Sequence, residues 1–220
     1  MRRSVGLVGC LVLVVIALIL GGWFVGARNG FVRLNEAVDS QWAQVESQYQ
    51  RRYDLIPNLV RTVEAAANFE KSTIVEVTNA RARVGQVQSG NGGGQPTASA
   101  LPNDPNAMAQ FAAAQQGLSN ALSRLLVVVE RYPELKSNQN FLELQSQLEG
   151  TENRIAVERQ RYNEKVQEYN TAIKQFPGSI AAGSRFRDKA YFRGTEGSSQ
   201  APNVNFPSFG GTTTSTTGTP

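Results

Sequence analysis

RRYDLIPNLV, Arg51 to Val60, decides how many helices this chain has and where they turn. It lies inside an otherwise helical pattern. Upstream, Phe31, Leu34, Val38, Trp42, Val45 and Tyr49 recur at three- and four-residue steps, which places them on one helix face. Downstream, Ile56, Leu59, Val63, Ala66 and Phe69 continue in the same style, before a five-residue step to Ile74 and a resumption at Val77. A straight helix from Phe31 to Val84 would extend about 80 Å, longer than any partner the rest of the chain offers. Pro57 is the first proline in the sequence.

Two readings of the stretch are open. In the preferred one the chain turns a corner. Asp54 caps a new helix by accepting the amide of Ile56, and Pro57 falls in its first turn, where a missing N–H is tolerated. The proline ring then meets the carbonyl of Tyr53 outside the new helix, although the pre-proline bias of Ile56 weakens this reading. In the other, one continuous helix kinks at Pro57. The double arginine divides the same way. At a helix end, Arg51 and Arg52 are favoured by the dipole by about 0.3–1 kcal/mol, which is the preferred account. Alternatively, one of them pairs with the polar middle of the last helix, at Glu152 or Glu158, and fixes helix register.

Beyond this stretch, Ser89 to Asn106 is rich in glycine and proline and reads as a flexible, exposed loop. A third helix follows, with Met108, Phe111, Leu118, Leu122, Leu125, Val129 and Tyr132 on one face, and Pro133 stops it. The most regular signal comes last. Phe141, Leu148, Ile155, Tyr162, Tyr169 and Phe176 stand at a strict seven-residue repeat, which predicts a coiled-coil-like seam. Its partner stripe, Gln145, Glu152, Arg159, Val166 and Ile173, is polar in the middle. Pro177-Gly178 closes this helix after about forty residues, roughly 60 Å. No alternating strand pattern occurs.

At the other end, Val5 to Val25 is uncharged and about as long as a bilayer core requires. It exceeds the apolar core of a cleaved leader, so a retained anchor is expected. Cys10 lies within the apolar run rather than after it, which argues for an inert thiol and against a lipidated one. Arg2 and Arg3 nearly balance Arg28 and Arg33, so charge barely sets the orientation. The neutral tail and short N-terminal flank place the domain outside the cytoplasm. The expected organisation is an anchor (1–27), a helical bundle (28–192) interrupted by the 89–106 loop, and a low-complexity, disordered tail (193–220).

Composition excludes much chemistry. The 220 residues contain no histidine and a single cysteine, and carry a net charge of +4. Zinc sites built on His or Cys, and Ser-His-Asp or Cys-His nucleophiles, are therefore unavailable. The basic residues are dispersed among acids, which speaks against nucleic-acid binding. Ser179 to Phe192, SIAAGSRFRDKAYF, mixes aromatics with Arg185, Arg187 and Lys189. It either packs its aromatics on the bundle, the preferred account, or docks on anionic headgroups.

Two long segments carry a family resemblance. LNEAVDSQWAQVESQYQRRYDLIPNLVRTVEAAANFE (34–70) and ELKSNQNFLELQSQLEGTENRIAVERQRYNEKVQEYNTAIKQFP (134–177) resemble the LemA family, as do NARAR (79–83) and AYFR (190–193). The resemblance spans roughly Phe31 to Phe206. It implies an all-α protein: an N-terminal transmembrane helix and an elongated antiparallel four-helix bundle, with no established enzymatic activity. It brings no catalytic, cofactor or metal residues. Arg51, Arg52, Asp54, Pro57, Asn58, Asn153, Arg159, Tyr162, Asn163, Tyr169 and Asn170 are accordingly read as a structural signature.

The expected function is a non-enzymatic, single-pass bacterial membrane scaffold. Its partners are the bilayer, through residues 5–25, and membrane or membrane-proximal proteins, a second copy of the chain among the candidates. No cofactor is expected. The alternatives are a module whose helix phase transmits signals from the membrane and, more remotely, a hydrolase using carboxylate-bound metal.

Overall fold

The apolar stripes form one elongated antiparallel bundle. The computed structural model describes residues 2–65, 69–89 and 98–192. The elements are α1 (Arg2–Glu64), α2 (Lys71–Ser89), a 3-10 turn (Ala98–Asn103), α3 (Pro105–Val129), the short α4 (Pro133–Lys136), α5 (Gln139–Lys174) and α6 (Gly178–Ala182). Among the described residues there is no strand. Among these residues, one helix is long and apolar enough to cross a membrane: α1, whose apolar side chains from Leu11 to Leu20 are exposed.

The expected corner at residues 54–57 is absent. α1 is a single helix of 63 residues that continues through Pro57. A proline inside a helix leaves the carbonyl four residues back without its N–H partner. Here that carbonyl belongs to Tyr53, and α2 supplies a donor: Arg81 Nε lies 3.3 Å from it. The Arg81 guanidinium also stacks 3.7 Å over the Tyr53 ring. Asp54 caps nothing and accepts instead from Gln50 Nε2 at 2.9 Å. Arg51 and Arg52 therefore finish no helix. The reversal comes later, between Glu64 and Lys71, and the part of α1 beyond Phe31 is close in length to the 36 residues of α5.

Two further expectations change at helix ends. The 89–106 loop is shorter than expected, because Leu101 is buried in the 3-10 turn and Asp104 already caps α3. Asp104 Oδ1 accepts the amides of Asn106 and Ala107 at 2.9 and 3.3 Å, with Pro105 in the first turn. Asn138 caps α5 in the same way. The heptad seam loses its last member: α5 stops at Lys174, and Phe176 beyond it is 77% exposed. The tail at 193–220 lies outside the described residues.

The four long helices pack as two close pairs, α1 with α5 and α2 with α3. Gln41 to Glu158 (2.6 Å) and Arg52 to Glu152 (2.6 Å) set the antiparallel register of the first pair. Arg124 to Glu76 (2.7 Å) and Arg131 to Glu70 (3.0 Å) link the second. Large side chains fill the space between the pairs in two separate cores. The core nearer the apolar segment is aromatic: Phe31, Trp42, Tyr49, Phe111, Tyr162, Tyr169 and Phe192. The distal core is mainly aliphatic, with Ile56, Leu59, Val63, Leu118, Leu125 and Leu148.

Candidate functional site

Between the two cores lies a polar layer. On α1 it falls between Tyr49 and Ile56, on α3 between Phe111 and Leu118, and on α5 between Leu148 and Ile155. Its centre is Arg52, 1% exposed. Arg52 Nη1 donates to Glu152 Oε1 (2.6 Å) and Ser119 Oγ (2.8 Å), and Nη2 donates to the side-chain oxygen of Gln115. The guanidinium also sits 5.2 Å from the Tyr49 ring centroid. Three helices thus converge on one charge. Buried polar atoms at Arg52 Nε, Gln115 Nε2 and Gln48 Oε1 lack a partner among the described residues. A partly satisfied layer of this kind costs desolvation and contributes register more than net stability. The pairing of one arginine with the polar middle of the last long helix is the arrangement found, and Glu152 is the partner.

The second feature is a strap after α6. Asn170 and Asn163 stand one heptad apart on α5, each next to a buried tyrosine of the seam. Asn170 Nδ2 donates to the Lys189 carbonyl (3.0 Å), and its Oδ1 accepts the Lys189 amide (2.9 Å). Asn163 does the same with Phe192, at 3.0 and 2.9 Å. A heptad of helix rises about 10.5 Å, and three residues of extended chain cover about 10 Å. The two amides are therefore spaced to read an extended backbone as a neighbouring strand would.

The Tyr162 hydroxyl donates to the Ala190 carbonyl (2.8 Å), and the Ala190 amide donates to the Pro102 carbonyl (2.8 Å). Buried Lys189 reaches Asp39 (2.8 Å), while the Arg159 guanidinium lies 4.8 Å over the Phe192 ring. Burial pushes the Tyr162 phenol well above the usual tyrosine range, and the Asp39 charge adds to the shift. Tyr49 and Tyr169 move upward for the same first reason.

The strap shows where part of SIAAGSRFRDKAYF packs. Phe186 and Phe192 pack on the core, and Lys189 turns inward, away from any headgroup. Ile180 and the arginines stay outside. Packing of its aromatics is the preferred sequence account, but the Asn163 and Asn170 clasp is not foreseen there, although a signal exists: Tyr-Asn occurs at 162–163 and again at 169–170. The signature residues therefore divide. Arg52, Arg159, Tyr162, Asn163, Tyr169 and Asn170 come together around the layer and the strap. Pro57 belongs to the Arg81 contact. Arg51, Asp54, Asn58 and Asn153 are exposed.

A third feature is an outer groove of about 560 Å³ between α2 and α3. Ala113, Ala114, Gly117 and Ala121 form its floor, and Glu76, Asn79, Arg83, Asn120 and Arg124 its rim. Val75 and Val127 are exposed beside it. Among the described residues, no group of three or more His, Cys, Asp or Glu is placed to hold a metal ion.

Residues 41–206 match the sequence profile of the LemA family. The magnetosome protein MamQ of Magnetospirillum gryphiswaldense is 30% identical over 177 residues, covering 74% of this chain and 64% of the relative. The magnetosome protein MamQ 2 of Paramagnetospirillum magneticum is 30% identical over 178 residues, with 75% and 64% covered. The chain thus spans just under two thirds of the length of these relatives.

Proposed function

Because the chain belongs to the LemA family, we propose that it is a non-enzymatic membrane scaffold. α1 crosses the bilayer over residues 5–25, and the outer face of α2 and α3 captures a helix of a partner protein. The α2–α3 groove carries this reading. Its small-residue floor admits close backbone approach, and the exposed Val75 and Val127 offer apolar area at its distal end. Its rim mixes Glu76 with Arg83 and Arg124, which suits a helix with an apolar stripe and charges of both signs. The domain is placed outside the cytoplasm on the neutral tail and the short N-terminal flank, and reporter fusions at the C-terminus test that side.

The scaffold reading is tested with a photo-crosslinking residue at Ala113 in living cells. A reproducible adduct that disappears in Gly117→Trp supports it. Adducts no different from those of a probe at exposed Asn153 would remove the groove from consideration.

One observation favours a second reading, signal transmission: α1 passes from the apolar run into the bundle without a break. Single-residue insertions near Arg28 rotate the bundle by about 100° each. A transmitter would show output that varies periodically with insertion length, whereas a scaffold would be indifferent.

A further inference from the structure

The end of the bundle next to the apolar segment carries a surface that the scaffold role does not use. Val25 ends the apolar run and Phe31 is the first core residue, so about 9 Å of unbroken helix separates them. The chain reversal after α5 folds back onto this junction. A β-carbon on Gly178 would lie 3.2 Å from the Phe31 ring, and the rings of Phe31 and Phe186 are 5.4 Å apart. Phe24 and Ala27, at the edge of the apolar run, pack against the same core as Ala181 and Ala182. The reversal is therefore held at the level where the anchor leaves the hydrocarbon.

At that level the reversal exposes two large apolar side chains, Phe176 (77%) and Ile180 (64%). Their neighbours Ile173, Ala181 and Ala182 are buried. The same segment exposes Arg185 and Arg187, and on α1 Arg28 lies over the Phe24 ring. The nearby acid Asp188 is paired with Lys174 at 2.6 Å. Apolar tips with arginines in the same segment, beside the exit of a membrane helix, are the composition of a bilayer interface contact. A protein partner is not needed to explain it, because rigid continuity of α1 already brings the bilayer to this surface.

We propose that the α5–α6 reversal is a second membrane contact. Phe176 and Ile180 enter the interfacial layer of the bilayer that α1 crosses, and Arg28, Arg185 and Arg187 engage anionic phospholipid headgroups. The contact fixes the tilt of the bundle on the membrane, so that the α2–α3 groove is presented in one direction. The proposal rests on the anchoring reading above.

The test uses the full chain in a Cys10→Ser background, reconstituted into phosphatidylcholine nanodiscs with or without phosphatidylglycerol. Single spin labels are placed through Ile180→Cys, Ile16→Cys and Ser137→Cys, and their collision accessibility to oxygen and to a nickel chelate is compared. The Ile16 label should report hydrocarbon and the Ser137 label water. The Ile180 label should lie between them, with an oxygen-to-nickel ratio severalfold above that at Ser137. Adding phosphatidylglycerol should deepen it, and Arg185→Glu with Arg187→Glu should cancel that gain. An Ile180 label as nickel-accessible as Ser137, with Ile16 still in hydrocarbon, overturns the second contact and leaves the anchor intact. A water-exposed Ile16 label overturns both. Phe176→Ser, made with the label at 180, touches an exposed side chain only and should shift that label outward without altering helicity.

Discussion

The two cores of this bundle do the same job by different means. In the distal core, side chains of all four long helices meet, mainly Ile, Leu and Val, with Phe69 against Tyr132 at the end. In the proximal core, α3 begins only at Pro105, about 15 Å from the Arg52 layer, whereas α1 and α5 continue roughly twice as far. Two helices cannot surround a core. Aromatic bulk and a non-helical strap complete it, and the strap needs partners for every buried backbone group. Asn163, Asn170, Tyr162 and the 3-10 turn provide them. The difference teaches that the long helical pair is completed by directional hydrogen bonds where helices run out.

The largest expected effect falls on the layer that separates the cores. Arg52→Ala and Glu152→Ala should each cost about 3 kcal/mol, the first by cavity and unpaired acceptors, the second by leaving a buried charge. Denaturant unfolding of the double variant should show coupling of about 1.5–3 kcal/mol; additive losses would mean that the pair is incidental. Next comes the strap. Asn170→Ala strands the buried amide and carbonyl of Lys189 and should cost about 2 kcal/mol. Hydrogen exchange should then rise in the proximal core and leave Leu118 to Val129 unchanged; uniform loss would erase the distinction between the cores.

A gain is expected at the first proline. Pro57→Ala restores an N–H for the Tyr53 carbonyl and removes the ring clash, and should stabilise by about 1–2 kcal/mol. A loss there, read by thermal unfolding, would contradict the unbroken helix.

The smallest effect concerns alkaline pH. Tyr49, Tyr162 and Tyr169, all in the proximal core, have phenols shifted upward by burial. A raised folded value means that the native state keeps protons the unfolded chain releases. Stability is therefore complete below the ordinary tyrosine value of about 10 and falls as pH rises above it. Just past that point the loss is under about 1 kcal/mol. Exchange should increase first in the proximal core, and Tyr162→Phe should blunt the response.

Much of this was legible in the residues. The apolar periods of all four long helices predicted which faces are buried, because burial of a helical stripe depends on spacing within one segment. Absent histidines closed off whole classes of chemistry without reference to shape. The packing of Phe186 and Phe192 was legible, but the asparagine clasp was not read, since its logic is a match between helix rise and extended-chain rise across residues that are distant in sequence.

RRYDLIPNLV marks the boundary between the two kinds of knowledge. Alone, it presents a proline, an acid and two arginines, and local rules favour a corner. The helix continues because Arg81, from another helix, supplies the donor that Pro57 removes. Arg52 is buried because Gln115, Ser119 and Glu152 converge on it from two more. The sequence by itself determined the helical periods, the apolar segment and the excluded chemistry, all of which follow from short-range spacing and composition. Only the tertiary structure decided where the chain turns, which arginine is buried and what closes the proximal core, because each depends on a partner brought near by folding.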